Sequence, residues 1–469
     1  MSKSTGNTPS LKVYTNNDQA IIVWQYPKLI NNCIGFAVFR KHKHESDALA
    51  EALPNKVGFE GEPHKNGEQR PSSQWPIQRF TWVDFTVNKG DFVQYKVVPV
   101  VINSKGKVNK EETNASPWSE LVSIDTGKNF QAYFNRGIIS SQFFTHMKDE
   151  FASELDGTTV KAVIGGEANK VRNFLGGYLS EELFSILDSI AADKNLSVYG
   201  ALYELQQHDL IEKLQAIGDR AHIVLANGSF KAKGEDKNAD SREALRSAGV
   251  EVFDRIVAPN HFAHNKFLVI CENDVKMHVW TGSTNWTPGG LFSQVNNGLY
   301  MFDNKKMADV YFHQWEVLRN AGDSSTDPAL LSANAAALPG KAYPHVWFSP
   351  KAKTHDLEEA TRLLNAATKG VLFLMFNPGP AGTLFNSVLD LQEQKPDLFI
   401  HGVMNQDPGG KNPLIFFHKG AKDKANWNEI LPDKISQQLG FFDEEAGAGM
   451  VTIHSKVIVI DPFTDHGTV

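Results

Sequence analysis

Cysteine is nearly absent from this chain: 469 residues hold two, Cys33 and Cys271, in segments far apart. Two such residues build no disulfide framework, so the fold must rest on hydrophobic cores, and the pair read as free thiols in a reducing, cytoplasmic compartment. Also missing is any run approaching the roughly 18 apolar residues of a membrane span. Met1 to Ser10 is polar and lacks the apolar stretch of a signal peptide. Lipid would therefore be met from solution, and export would need a route that reads no signal peptide. A positive charge excess is missing as well, since 54 Asp and Glu against 47 Lys and Arg leave a formal charge of −7. The surface as a whole is thus not that of a nucleic-acid or anionic-membrane binder, although a local basic cleft remains open.

What is present is an ordinary globular composition, 41% apolar and 22% charged, at a length that suggests two or three domains. From Leu11 to Asp125 short strands alternate with turns: Ala20 to Trp24, Gly35 to Arg40, Arg79 to Asp84 and Phe92 to Val101. The basic run Arg40 to His44 could form a basic or metal-binding patch, but a strand end entering a solvated loop explains it more simply. Beyond Lys128 the texture changes to apolar strands alternating with amphipathic helices, the pattern of an α/β domain. Strands are expected at Leu196 to Leu205, His222 to Ala226, Val250 to Ile256 and Lys266 to Ile270, with helices at Asp209 to Ile217 and Ser241 to Ala248. The order then repeats: strand Val371 to Phe376, helix Leu384 to Gln392, strand Leu398 to Met404 and strand Val451 to Ile460. Asp323 to Lys341, rich in Ser, Ala, Pro and Gly, is the connection. An internal duplication is the simplest source of such a repeat.

The chemistry sits at two H-x-K tripeptides, His264-Asn265-Lys266 and His454-Ser455-Lys456, each ahead of an apolar run. With sixteen histidines in the chain, about one H-x-K is expected by chance. Context sets these two apart: both occupy matching places in the repeat, and Gly282-Ser283-Thr284-Asn285 follows the first. Alternation along a strand points His264 and Lys266 to one face, and His454 and Lys456 likewise. Two imidazoles and two ammoniums then supply a nucleophile, an acid and cations for a phosphodiester.

These residues resemble the phospholipase D superfamily, in which H-x-K, an acidic residue and G-S-x-N recur twice in a pseudo-symmetric protein. The N-terminal order Trp24, Pro27, Gly35-Phe36, Val38, Arg40, Asp84, Gly90, Tyr95, Val97 and Pro99 resembles a fibronectin type III sandwich, with a longer loop at Lys41 to Arg79. The resemblances imply a multidomain chain: an all-β fibronectin type III-like sandwich over 10–125, then a duplicated α/β phospholipase D-like domain with halves 126–325 and 340–469. They imply a catalytic set of His264, Lys266, Asn285, His454 and Lys456, with Ser283 and Asp461 in support. By the same likeness His264 attacks to form a phosphohistidine and His454 serves as acid and base, an assignment that pseudo-symmetry allows to be reversed. Neither metal nor cofactor is required, and no convincing ligand cluster stands out. One chain suffices for a composite site. Glu204 is a candidate orienting carboxylate or a solvated strand-end acid, and Trp280, Trp286 and Phe292 either line an apolar pocket or pack a core. The implied activity is hydrolysis of phospholipid phosphodiesters. The alternatives are a nuclease acting on DNA or RNA, and an inert scaffold that recruits a protein partner through the sandwich.

Two departures from the family pattern stand out. Cys271 occupies the acidic position of the first motif, where the second keeps Asp461. A second G-S-x-N, at the spacing of the first, would fall just beyond Val469, so the second half is expected to be incomplete. The acidic position lies seven residues past its histidine, an odd offset that turns it to the strand's other face. Cys271→Ala is accordingly expected to retain substantial phosphodiesterase turnover, and an inactive but folded variant would contradict that placement.

Overall fold

The computed structural model describes residues 8–63, 68–125, 127, 129–137, 160–229, 235–259, 261–338, 344–351, 353–376, 378, 384–404, 427–430 and 453–469. Two compact units divide the chain, Met1–Lys128 and Asn129–Val469. Strands build the first: β1 Ser10–Thr15, β2 Ala20–Gln25, β3 Cys33–His42, β4 Glu51–Ala52, β5 Pro54–Asn55, β6 Arg70–Pro71, β7 Thr81–Asp84, β8 Phe92–Ile102, β9 Val108–Lys110 and β10 Val122–Ser123. They form an antiparallel sheet in the order β1-β2-β7, a second in the order β10-β8-β3-β4 with β9 beside β8, and the hairpin β5-β6. Ala20, Ile22 and Trp24 alternate inward from β2 and meet Phe36, Val38, Val93, Tyr95 and Val97 of the other sheet in one core. A buried carboxylate ties the sheets together, because Asp84 Oδ2 accepts from Arg40 Nη1 at 2.9 Å and from the Tyr95 hydroxyl at 3.0 Å. The stretch Lys41 to Arg79, read as one long loop, instead holds β4 to β6 and buries Leu53, Trp75 and Ile77. Three such side chains, spread over the stretch, are too few to announce themselves by a period.

The second unit opens with β11 Gln131–Phe134, β12 Leu196–Leu202, β13 Ala221–Ala226, β14 Glu251–Arg255, β15 Lys266–Glu272, β16 Val275–Gly282 and β17 Asn297–Met301. They pair in the order β11-β17-β16-β15-β12-β13-β14. Helices Lys170–Ala192, His208–Ile217 and Ala239–Ser247 bury side chains against one face with Leu268 and Ile270. Helix Lys305–Ala321 covers the other with Phe267, Val269 and Cys271. Cover on both faces explains the unbroken apolar run after Lys266. It also places Cys271, 1% exposed, in the core opposite the face of Leu268 and Ile270. The two longest of these helices, Lys170–Ala192 and Lys305–Ala321, lie where the sequence reading placed no element. The connection Asp323 to Lys341 carries helix Pro328–Ala333, which Asp327 caps by accepting from the Leu330 amide.

A second sheet comprises β18 Gly370–Met375, β19 Phe399–Met404, β20 Trp427–Ile430 and β21 Val457–Ile460, in the order β20-β19-β18-β21. β18, β19 and β20 run parallel and β21 lies antiparallel to β18, the same senses that join β12, β13, β14 and β15. The strand after each H-x-K thus lies beside the first strand of a parallel trio.

Both histidines sit ahead of their strands rather than inside them. β15 starts at Lys266, so His264 precedes it, and β21 starts at Val457. The expected strand Val451 to Ile460 is therefore too long: residues 451 and 452 lie outside the described residues, and Ile453 pairs with Val295 instead. Strand alternation alone does not aim the two His–Lys pairs. Asp461, just past β21, turns its carboxylate onto the amides of Thr368, Lys369 and Gly370 and the Thr368 hydroxyl, at 2.6 to 3.2 Å, and so fastens the start of β18.

Candidate active site

The backbone of the second motif clasps the loop that follows the first. The amides of His454 and Ser455 both donate to the Val295 carbonyl at 2.9 Å. That pairing lays the His454 ring, 6% exposed, against two acceptors, the Ser283 carbonyl and Asn296 Oδ1, each 3.0 Å from Nδ1. Asn296 Nδ2 donates to the Gly290 carbonyl at 2.8 Å, and Oδ1 also accepts from the Ser283 hydroxyl, which fixes which amide atom meets the ring. Nδ1 must therefore carry the proton, and Nε2 keeps its lone pair free. Asn135 braces the arrangement, its Oδ1 accepting from the Asn296 amide at 2.9 Å and its Nδ2 donating to the Leu291 and Gln294 carbonyls. Neither Asn135 nor Asn296 was singled out from sequence. The Asn296-Asn297 pair eleven residues past Asn285 was the available signal, but lone amides show no period.

Opposite stands His264, an exposed residue, with its ring centroid 6.2 Å from that of His454. Lys266, 7% exposed, donates from Nζ to the His264 carbonyl at 3.1 Å, with Nζ 4.9 Å from the Tyr203 ring centroid. Lys456 donates to the His454 carbonyl at 2.6 Å, with Nζ 4.6 Å from that of Phe376. Two imidazoles and two ammoniums, distant in sequence, thus share one cluster.

The remaining candidates are placed less directly. Asn285, 8% exposed, donates from Nδ2 to Glu204 at 2.6 Å, while its Oδ1 has no hydrogen-bond partner among the described residues. Glu204 is therefore no solvated strand-end acid: it is half-buried, holds Asn285 and attracts the Lys266 ammonium. The Ser283 hydroxyl is spent on Asn296 and Asn297, so this residue bears on His454 through its carbonyl. Trp280, Trp286 and Phe292 are at most 2% exposed and pack within the core beneath the sheet. Asp461 fastens β18 and makes no hydrogen bond to the motif side chains.

Burial and the facing ammoniums keep the imidazoles neutral. His454 is pushed down to about 4, by burial first and then by Lys456 and Lys266. His264 is pushed down to about 3, first by desolvation from the groups crowded around its ring and then by Lys266, Lys456 and His454, although the exposed part of the residue screens these charges more than at His454. Burial holds Lys266 well below the ordinary lysine range, with Lys456 adding repulsion and Glu204 opposing it. Burial lowers Lys456 to about 8. Among the described residues His208, Asp209 and Glu212 lie close enough to share a metal ion, but Arg172 and Gln207 already bind Asp209, and the trio is separate from this cluster in sequence.

No family model matches the chain, and no curated protein is similar to it. Among solved structures it is similar to a phospholipase D family member, Nuc, from Salmonella typhimurium, at 19% identity over 30% of this chain and 88% of that one, with a TM-score of 0.25. It is similar to a phosphatidylserine synthase from Haemophilus influenzae at 13% identity, 60% and 74% coverage and a TM-score of 0.37. The polyphosphate kinase of Porphyromonas gingivalis gives 11%, 96% and 69%, and 0.40. Scores this low assign the chain to no family.

The sign of the pH dependence follows from the histidines. Between the ordinary value of 6.5 and about 4, the unfolded chain binds protons that the folded site refuses, so stability falls as pH drops through that window. A proton–carbon NMR titration should find both imidazoles neutral at pH 5.5, with thermal stability declining from pH 6.5 toward 4. Titration of either ring near 6.5 contradicts the geometry.

Proposed function

We propose that the second unit is a duplicated phospholipase D-like domain acting as a metal-independent phosphodiesterase, with His454 as nucleophile and His264 as acid and base. The observation that carries this reading is the convergence of the two rings at 6.2 Å with an ammonium beside each. A ring-centroid separation of this order suits one phosphate held between the imidazoles, with a near-attack contact of about 3 to 3.5 Å from nitrogen to phosphorus on one side and a hydrogen bond to the leaving oxygen on the other. The roles follow from how each ring is held. His454 has its tautomer fixed and its Nε2 lone pair free, as a nucleophile needs, whereas His264 is open to the solvent with which an acid and base must exchange protons. His454 Nε2 bonds to phosphorus as the P–O bond to the alcohol breaks, and protonated His264 gives that oxygen its proton. Neutral His264 then takes a proton from water, the water oxygen bonds to phosphorus, and the P–N bond breaks. A bound anionic phosphodiester raises the pKa of His264 toward the value this cycle needs. Lys266, Lys456 and Asn285 bind the non-bridging oxygens.

Phospholipid headgroups are the first substrate reading, since the net charge of −7 offers a polyanion no general attraction. A nuclease is the second, favoured by Phe262. This ring is 64% exposed, stands two residues before His264 and lies 6.5 Å from Tyr203, a placement suited to stacking a base. The first unit, with its resemblance to a fibronectin type III sandwich, serves as a module for recruiting a partner or presenting substrate. Wild-type protein with chelator present is expected to cleave bis-p-nitrophenyl phosphate and phosphatidylcholine vesicles, and His264→Ala and His454→Ala each to lose at least about 100-fold. Cleavage of single- or double-stranded DNA alone overturns the lipid reading. Full activity in either variant overturns the mechanism.

A further inference from the structure

We infer that Tyr203 and Phe376 are matched positioning residues, each clamping the lysine and histidine of its own motif so that the ammonium meets the phosphoryl oxygens. This role rests on the phosphodiesterase reading and extends it to two residues outside both motifs. Register is the first support. Leu202 of β12 stands opposite Lys266, and Tyr203 follows it. In the second sheet Leu374 stands opposite Val457, so Met375 comes opposite Lys456, and Phe376 follows it. The two strands, LSVYGAL and GVLFLM, share little else, yet each is followed by an aromatic ring at the same position.

Contacts are the second support. Each ring meets its lysine face-on, with Nζ at 4.9 Å for Tyr203 and 4.6 Å for Phe376. Each also meets its histidine edge-on, with centroids 4.5 and 5.0 Å apart. An ammonium has three N–H groups. One goes to the carbonyl of the motif histidine, the ring shields one side, and what remains can meet a phosphodiester. A lysine stem is otherwise free to swing, so the ring supplies order that the side chain lacks. Leucine would pack the same space, but without a negative π face it would leave the charge unheld.

The test separates clamp from reaction. In the full chain, the ε-methylene protons of Lys266 and Lys456 should show upfield ring-current shifts, each lost in Tyr203→Leu or Phe376→Leu respectively. Turnover of bis-p-nitrophenyl phosphate should fall in step as Phe376 is replaced by increasingly fluorinated phenylalanines, reaching a kcat/KM loss of roughly 2- to 30-fold. Tyr203→Phe should retain activity that Tyr203→Leu loses. A flat response across the fluorinated series, with loss only on change to leucine, shows packing alone and overturns the proposal, as do unshifted lysine signals in the wild type. Shifted signals in a wild-type protein that cleaves no phosphodiester overturn the reaction reading instead, and the positioning role falls with it.

Discussion

The Val295 carbonyl accepts from the amides of both His454 and Ser455, and the candidate site depends on this small piece of backbone pairing. Without it, the second motif would be only the approach to a four-residue strand in its own sheet. With it, His454 is delivered to acceptors that belong to the other half of the unit: the carbonyl of Ser283 and the amide oxygen of Asn296. The glycines nearby serve the same closeness. A Cβ on Gly282 would stand 2.2 Å from the Asn297 carbonyl oxygen, and one on Gly290 2.2 Å from that of Asn285. The loop can fold this tightly beneath His454 only where side chains are missing.

The cluster so assembled is electrostatically uncomfortable. Two ammoniums, one of them buried, face two rings kept neutral, and Glu204 is the carboxylate whose attraction registers on Lys266. A folded protein gains nothing from such an arrangement unless a ligand supplies the missing negative charge. Under the proposed function a phosphodiester would do so: its charge would relieve the lysines and raise the affinity of His264 for a proton, coupling binding to readiness for reaction through one field.

The H-x-K tripeptides and the apolar strands behind them were legible because they carry a pattern: fixed spacing, repetition and a buried run. The β12–β15 core appears where those runs predict it, with ends shifted by a few residues. The aiming of the histidines was not legible, because it comes from loop backbone and not from strand alternation: both histidines precede their strands. Asn135 and Asn296 were invisible for a related reason, since an amide's role depends on what it meets and leaves no period. Tyr203 and Phe376 did leave a trace, each one residue past an apolar strand, but only the register shows that their positions match. Sequence leaves Glu204 and the tryptophans open between site and solvent or core, and what each side chain touches decides it: Glu204 holds Asn285, whereas Trp280 and Trp286 pack the core.

The most direct measurement is mass spectrometry of rapidly quenched protein after mixing with bis-p-nitrophenyl phosphate, whose leaving group needs no acid. Acid-labile phosphoryl label is predicted on His454, and it should accumulate in His264→Ala, where water is no longer activated. Label on His264, or none in wild-type protein that turns over, contradicts the proposed division of labour between the two imidazoles.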